Sequence, residues 1–115
     1  MEVRFRNSKL KKVFSSEKCL VREYGERCGK RAKLMVSALY AVRSLAQIRT
    51  IPPRPPYRLH ELTGREKGIF SIDLVHPYRL LFKPDQEPEP RLPNKEWDFD
   101  SITIIKIIEV KDTHG

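Results

Sequence analysis

Long apolar runs are missing from this 115-residue chain. Nothing approaches the roughly 18 apolar residues of a membrane-spanning helix, and the start, MEVRFRNSKLKK, lacks the apolar segment of a secretory signal. A cytoplasmic protein with no membrane partner is therefore expected. Cysteine is scarce as well: Cys19 and Cys28 are the only two, without a CxxC pattern or histidines at ligand spacing. Two thiols do not complete a zinc site, and a cytoplasmic chain rarely keeps a structural disulfide, so both read as small core residues. No internal repeat is visible. A hydrophobic content of 39% supports one modest core, hence one domain over residues 1–115.

Acidic residues are also few in the first half. Residues 1–58 hold 15 Lys+Arg against 4 Asp+Glu, a net of +11, whereas residues 59–115 hold 8 against 11, a net of −3. Six of those acids (Asp85, Glu87, Glu89, Glu96, Asp98, Asp100) fall in one tract with only Arg91 and Lys95 against them, so the rest of the chain sums to +12. Such an excess on a small domain favours a polyanionic partner through counterion release. Simple solubility is the competing explanation.

Glu2-Val3-Arg4-Phe5-Arg6 alternates as a half-buried strand does. Ser15 or Ser16 suits a helix cap, with Leu20, Tyr24 and Cys28 at four-residue spacing behind it; Gly25 weakens that helix and Gly29 is expected to end it. The spacing of Met35, Ala38, Leu39, Val42, Leu45 and Ala46 predicts the longest helix over Lys30–Ile48. Ile51-Pro52-Pro53-Arg54-Pro55-Pro56 cannot continue it and reads as a stiff connector. Strands follow over Ile69–Val75 and Tyr78–Lys83, forming an antiparallel hairpin that reverses at His76-Pro77. Residues 84–101 carry four of nine prolines among acids and read as a long, poorly ordered loop. Ile102–Val110, β-branched at nearly every position, reads as a central strand covered on both faces. The order is β-α-α-β-β-β, an α+β fold with two N-terminal helices packed on a small, mainly antiparallel sheet.

RNA cleavage through the ribose 2′-hydroxyl needs a group to take its proton, a group to protonate the leaving oxygen, and cationic stabilisation of the phosphoryl group. His60 precedes the charged turn Gly64-Arg65-Glu66-Lys67-Gly68, Arg79 lies on the following hairpin, and His114 comes just after the last strand. These three converge only if the last strand pairs beside the hairpin. Taken singly, His60 reads as a polar turn residue, Arg79 as a solvated strand position, His114 as part of a frayed tail, and His76 as a hairpin-turn residue.

The phrase Leu59-His60-Glu61-Leu62-Thr63-Gly64, the strand start Gly68-Ile69-Phe70-Ser71-Ile72, the run YRLLF and the ending Asp112-Thr113-His114 together resemble the HigB-type toxins (plasmid maintenance killer proteins) of the RelE/ParE superfamily. The resemblance covers nearly the whole chain. It implies a RelE-like fold and a toxin of a toxin-antitoxin module: a ribosome-dependent, metal- and cofactor-independent mRNA endonuclease that inhibits translation and is silenced by a HigA-like helix-turn-helix antitoxin. By position it implies His60, Arg79, His114 and Asp112 as catalytic residues; Arg65 and Lys67 of the charged turn, and Lys83, are expected to bind RNA phosphate beside them. Thr63 stands where many relatives carry lysine, and Thr113 where they carry tyrosine. Those departures leave open a catalytically degenerate binding protein on the same scaffold, and the ParE branch offers a gyrase inhibitor.

Overall fold

The computed structural model describes residues 1–112. It is an α+β fold of three helices and one five-stranded mixed sheet. Strand β1 (Glu2–Phe5) is followed by helices α1 (Ser8–Val13), α2 (Glu17–Tyr24) and α3 (Glu26–Ala41), then by strands β2 (His60–Glu61), β3 (Phe70–Asp73), β4 (Tyr78–Pro84) and β5 (Ile104–Asp112). The sheet order is β1-β5-β4-β3-β2, with β1 parallel to β5 and the other pairs antiparallel.

Three helices stand where two are expected. The extra one, α1, is a short turn capped by Asn7, whose side chain accepts from the Leu10 amide, and it buries no residue fully, so periodicity alone does not announce it. Ser16 caps α2 in the same way through Cys19. The break between α2 and α3 falls at Gly25, in the left-handed region at φ 86°, and not at Gly29. Gly29 sits inside α3 because α2 crosses there: a Cβ at Gly29 would stand 2.6 Å from the Val21 Cα. The longest helix thus runs Glu26–Ala41, four residues earlier at its start than the apolar spacing indicates and ending well before Ile48. Val42 turns extended, and the Leu39 and Tyr40 carbonyls accept from the Met1 amine. Leu45, Ala46 and Gln47 form a separate 3₁₀ turn, whose Leu45 amide donates to Ile102 just ahead of β5.

One sheet face meets the helices. Val3, Phe70, Ile72, Leu80, Phe82, Ile105 and Ile107 join Leu20, Cys28, Met35 and Leu39 in a single core. Cys28 is a core residue as expected, whereas Cys19 is only half-buried; both thiols are free. Strand β5 is interior but not covered on both faces: Ile105 and Ile107 are buried, while Ile104, Lys106 and Ile108 are partly exposed on the other side. A bulge between Leu81 and Phe82 opposes Glu109 to Leu81 and Ile107 to Phe82, leaving Ile108 as the extra residue and restoring alternation beyond it.

The acidic tract is an ordered unit and not a loose loop. Arg91 bridges Trp97, the Leu92 amide donates to Glu96, and the Asp98 amide donates to Pro90. Trp97 anchors it: its ring packs edge-on against Phe70 at 5.8 Å and its Nε1 donates to Glu61 at 3.2 Å. Among the described residues no helix is long and apolar enough to cross a membrane.

Candidate functional site

Side chains alternate across a sheet, so the strand register decides which residues share the face away from the helices. Arg79 lies opposite Asp73 on β3 and Lys111 on β5; Leu81 lies opposite Ser71, and Ser71 opposite His60. Farther along, Lys83 faces Lys106, which faces Arg4 on β1. The outer face therefore carries five cations, Arg4, Arg79, Lys83, Lys106 and Lys111, against Glu2, Asp73 and Glu109, with a dry strip in its middle where Ser71 and Leu81 are 0% and 2% exposed. Glu66 reaches Lys111 at 3.8 Å, so the charged turn between β2 and β3 passes over β4 to touch β5.

His60 stands at one end of this face. Its Nδ1 is 2.9 Å from the Arg58 carbonyl oxygen. A carbonyl only accepts, so Nδ1 carries the proton, and in the neutral ring Nε2 holds a lone pair able to act as a base. Arg58 sets this up from a left-handed backbone conformation, φ 47°. Its guanidinium donates to Asp73 Oδ2 at 2.8 Å, and the other oxygen of Asp73 lies 3.7 Å from Arg79 Nε. Asp73 thus hydrogen-bonds one guanidinium, that of Arg58, and lies in ion-pair range of a second, that of Arg79. From strand spacing, the Cα atoms of His60 and Arg79 are about 12 Å apart: two strands across and two residues along. Arginine and histidine side chains together span that distance around a bound phosphate.

Strand β5 does pair beside the hairpin, which satisfies the condition for convergence. Its end runs along the Arg79 end of β4, but Asp112 is opposite Tyr78, on the helix-facing side of the sheet, so the register brings Lys111 and not Asp112 to the face of Arg79. His114 and Thr113 lie outside the described residues. Lys67 and Lys83 line one open groove of about 600 Å³ with Arg6 and Lys106, while Asp85, Glu87 and Glu89 form its acidic bank. Asp85 is already engaged, 3.2 Å from Arg4 and 3.7 Å from Lys106. Arg65 is exposed on the 3₁₀ turn Gly64–Glu66, and the turn is pinned by the Gly68 amide donating to Glu61 at 2.8 Å. Among the described residues no cluster of three or more His, Cys, Asp or Glu stands ready to hold a metal ion.

Sequence reasoning missed Arg58, Asp73, Lys111 and Trp97. Asp73 was within reach of it: a hairpin reversing at His76 makes Asp73 and Arg79 equidistant from the turn and so opposite each other. Trp97, the single tryptophan, sits with Phe99 in a tract made mostly of acids and prolines, which is itself the mark of an anchor. Arg58 carried no signal, because its role is exercised through its carbonyl and an unusual φ.

No protein-family model matches this chain, and no curated protein matches it.

Proposed function

We propose that this chain is a HigB-type toxin with a RelE-like arrangement of its α+β fold, cutting mRNA on the ribosome and held inactive by a helix-turn-helix antitoxin. The observation that carries the reading is the outer sheet face, where a histidine with Nε2 available shares one surface with Arg79 and Lys111. The motif phrase at Leu59–Gly64 supports it from the sequence side.

In this reading His60 Nε2 takes the proton from a ribose 2′-hydroxyl, and the oxygen attacks the adjacent phosphorus. The bond from phosphorus to the 5′-oxygen breaks, leaving a 2′,3′-cyclic phosphate on one fragment. A second acid, assigned by resemblance to His114, protonates the departing 5′-oxygen. Arg79 and Lys111 counter the charge that builds on the phosphoryl oxygens, and Lys67, Lys83 and Arg65 hold neighbouring phosphates. Asp73 keeps Arg79 engaged until a phosphate competes for it, and the ribosome supplies the in-line geometry.

Expression of the Arg79→Ala variant should relieve the growth arrest that the wild-type chain causes, with the folded protein still present. Undiminished arrest would remove Arg79 from the mechanism. One observation favours a second reading, a non-catalytic binding protein: Asp73 lies close to both Arg58 and Arg79, leaving less free positive charge for a phosphate. Under that reading the chain binds its partners without leaving cut messages, whether or not Arg79 is present.

A further inference from the structure

Beside His60 lies a second groove, of about 560 Å³, that differs in kind from the one lined by Arg6, Lys67, Lys83 and Lys106. Its floor is apolar and aromatic, formed in part by Phe70, Trp97 and Phe99. Its rim is cationic, with Arg49, Lys67, Arg91 and Lys95 against Glu61 and Glu96. Glu61 is spent on structure, accepting from Gly68 and Trp97. Two guanidiniums lie over rings here: Arg49 is 4.1 Å from the Phe99 centroid and Arg91 3.5 Å from that of Trp97. Arg91 is further fixed by donating to the Lys95 carbonyl at 3.1 Å. A guanidinium this close over an aromatic ring can take another planar group on its far side.

We infer that this groove seats an unpaired nucleobase of single-stranded RNA, stacked on the Arg91 and Arg49 planes, while its backbone runs into the neighbouring cationic groove. Lys67 and Trp97 line both grooves and join the two halves of the site. Flat guanidiniums and aromatic rings are the surfaces on which unpaired bases stack, and the cations match the flanking phosphates. The seat is built by the proline-rich acidic tract, which gives that tract a substrate-binding role. This inference rests on reading the chain as an RNA-acting protein, and it adds where the base beside the reacting phosphate is held.

Trp97 is the only tryptophan, so its emission reports on the groove directly. The full chain is titrated with hexa-adenylate RNA and with the same hexamer lacking its bases, alongside the Arg91→Lys and Arg49→Lys variants. Lysine keeps the charge and loses the plane. A saturable change in Trp97 emission is expected from the hexamer, weakened about tenfold by Arg91→Lys and at least as much by removing the bases. Arg49→Lys, which leaves the Trp97 contact intact, supplies the same test should Arg91→Lys fail to fold. An unresponsive Trp97, equal binding of the abasic strand, or indifference to both substitutions would overturn the seat. Base-dependent binding by a chain that leaves no cuts in cellular mRNA would instead remove the endonuclease reading and keep the seat.

Discussion

Gly29 shows what a single residue decides. Glycine inside a helix costs about 1 kcal/mol relative to alanine, which is why a helix end is the natural expectation there. The crossing of α2 over α3 reverses that preference, since any Cβ would meet the Val21 backbone at 2.6 Å. Gly29→Ala should therefore lower unfolding stability by about 1–3 kcal/mol in a denaturant titration, whereas unchanged stability would mean the helices have room to part. Tyr24 offers a pH-dependent counterpart. Its phenol is pushed up to about 12, chiefly by burial and then by Glu23, Cys28 and Glu109. Because the folded value lies above the ordinary 10, folding favours the protonated ring. That contribution is whole below pH 10 and is lost as pH rises through about 12. Tyr24→Phe should flatten the fall in stability across this window; matching slopes for variant and wild type would contradict the assignment. Neither behaviour is readable from periodicity, which registers both positions only as points on a helix.

Among the elements, the acidic tract departs furthest from its sequence reading. Prolines and like charges are the usual signature of disorder, and they outnumber the two aromatics, Trp97 and Phe99, that oppose it. The aromatics prevail because Trp97 and Phe99 both pack edge-on against Phe70 and the Trp97 Nε1 is satisfied on Glu61, which ties the tract to the sheet. The tract then presents Glu87 and Glu89 toward Lys67 and Lys83 across one groove. Changing both to glutamine leaves the ion pairs of Asp85 intact, releases Arg91 from Glu89, 3.5 Å away, and should raise RNA affinity several-fold with a steeper dependence on salt. Equal affinity for the double variant and the wild type would show that the acids do not screen the groove. The hairpin was the more legible element: alternating Phe70, Ile72, Leu80 and Phe82 fix the core face, and the reversal at His76 fixes which residues oppose each other.

For the molecule as a whole, the α+β class and the hairpin pairing follow from the sequence, since amphipathic spacing and β-branched runs are tertiary demands written locally. What did not follow depends on contacts across the chain. Short elements such as α1 and β2 exist only because capping or sheet pairing completes them. The site behaves likewise: His60 and Arg79 were identifiable by residue type, but their link through Arg58 and Asp73 exists only once β2 docks on β3. We propose that one sheet face, with His60 as base and Arg79 as phosphate partner, cuts translated mRNA. Mapping mRNA 5′ ends in cells after brief induction of the wild-type chain, His60→Ala and Arg79→Ala tests it most directly. The account predicts codon-phased cuts within translated regions for the wild type and their loss in both variants. Intact messages under the wild type, or wild-type cutting by His60→Ala, would contradict it.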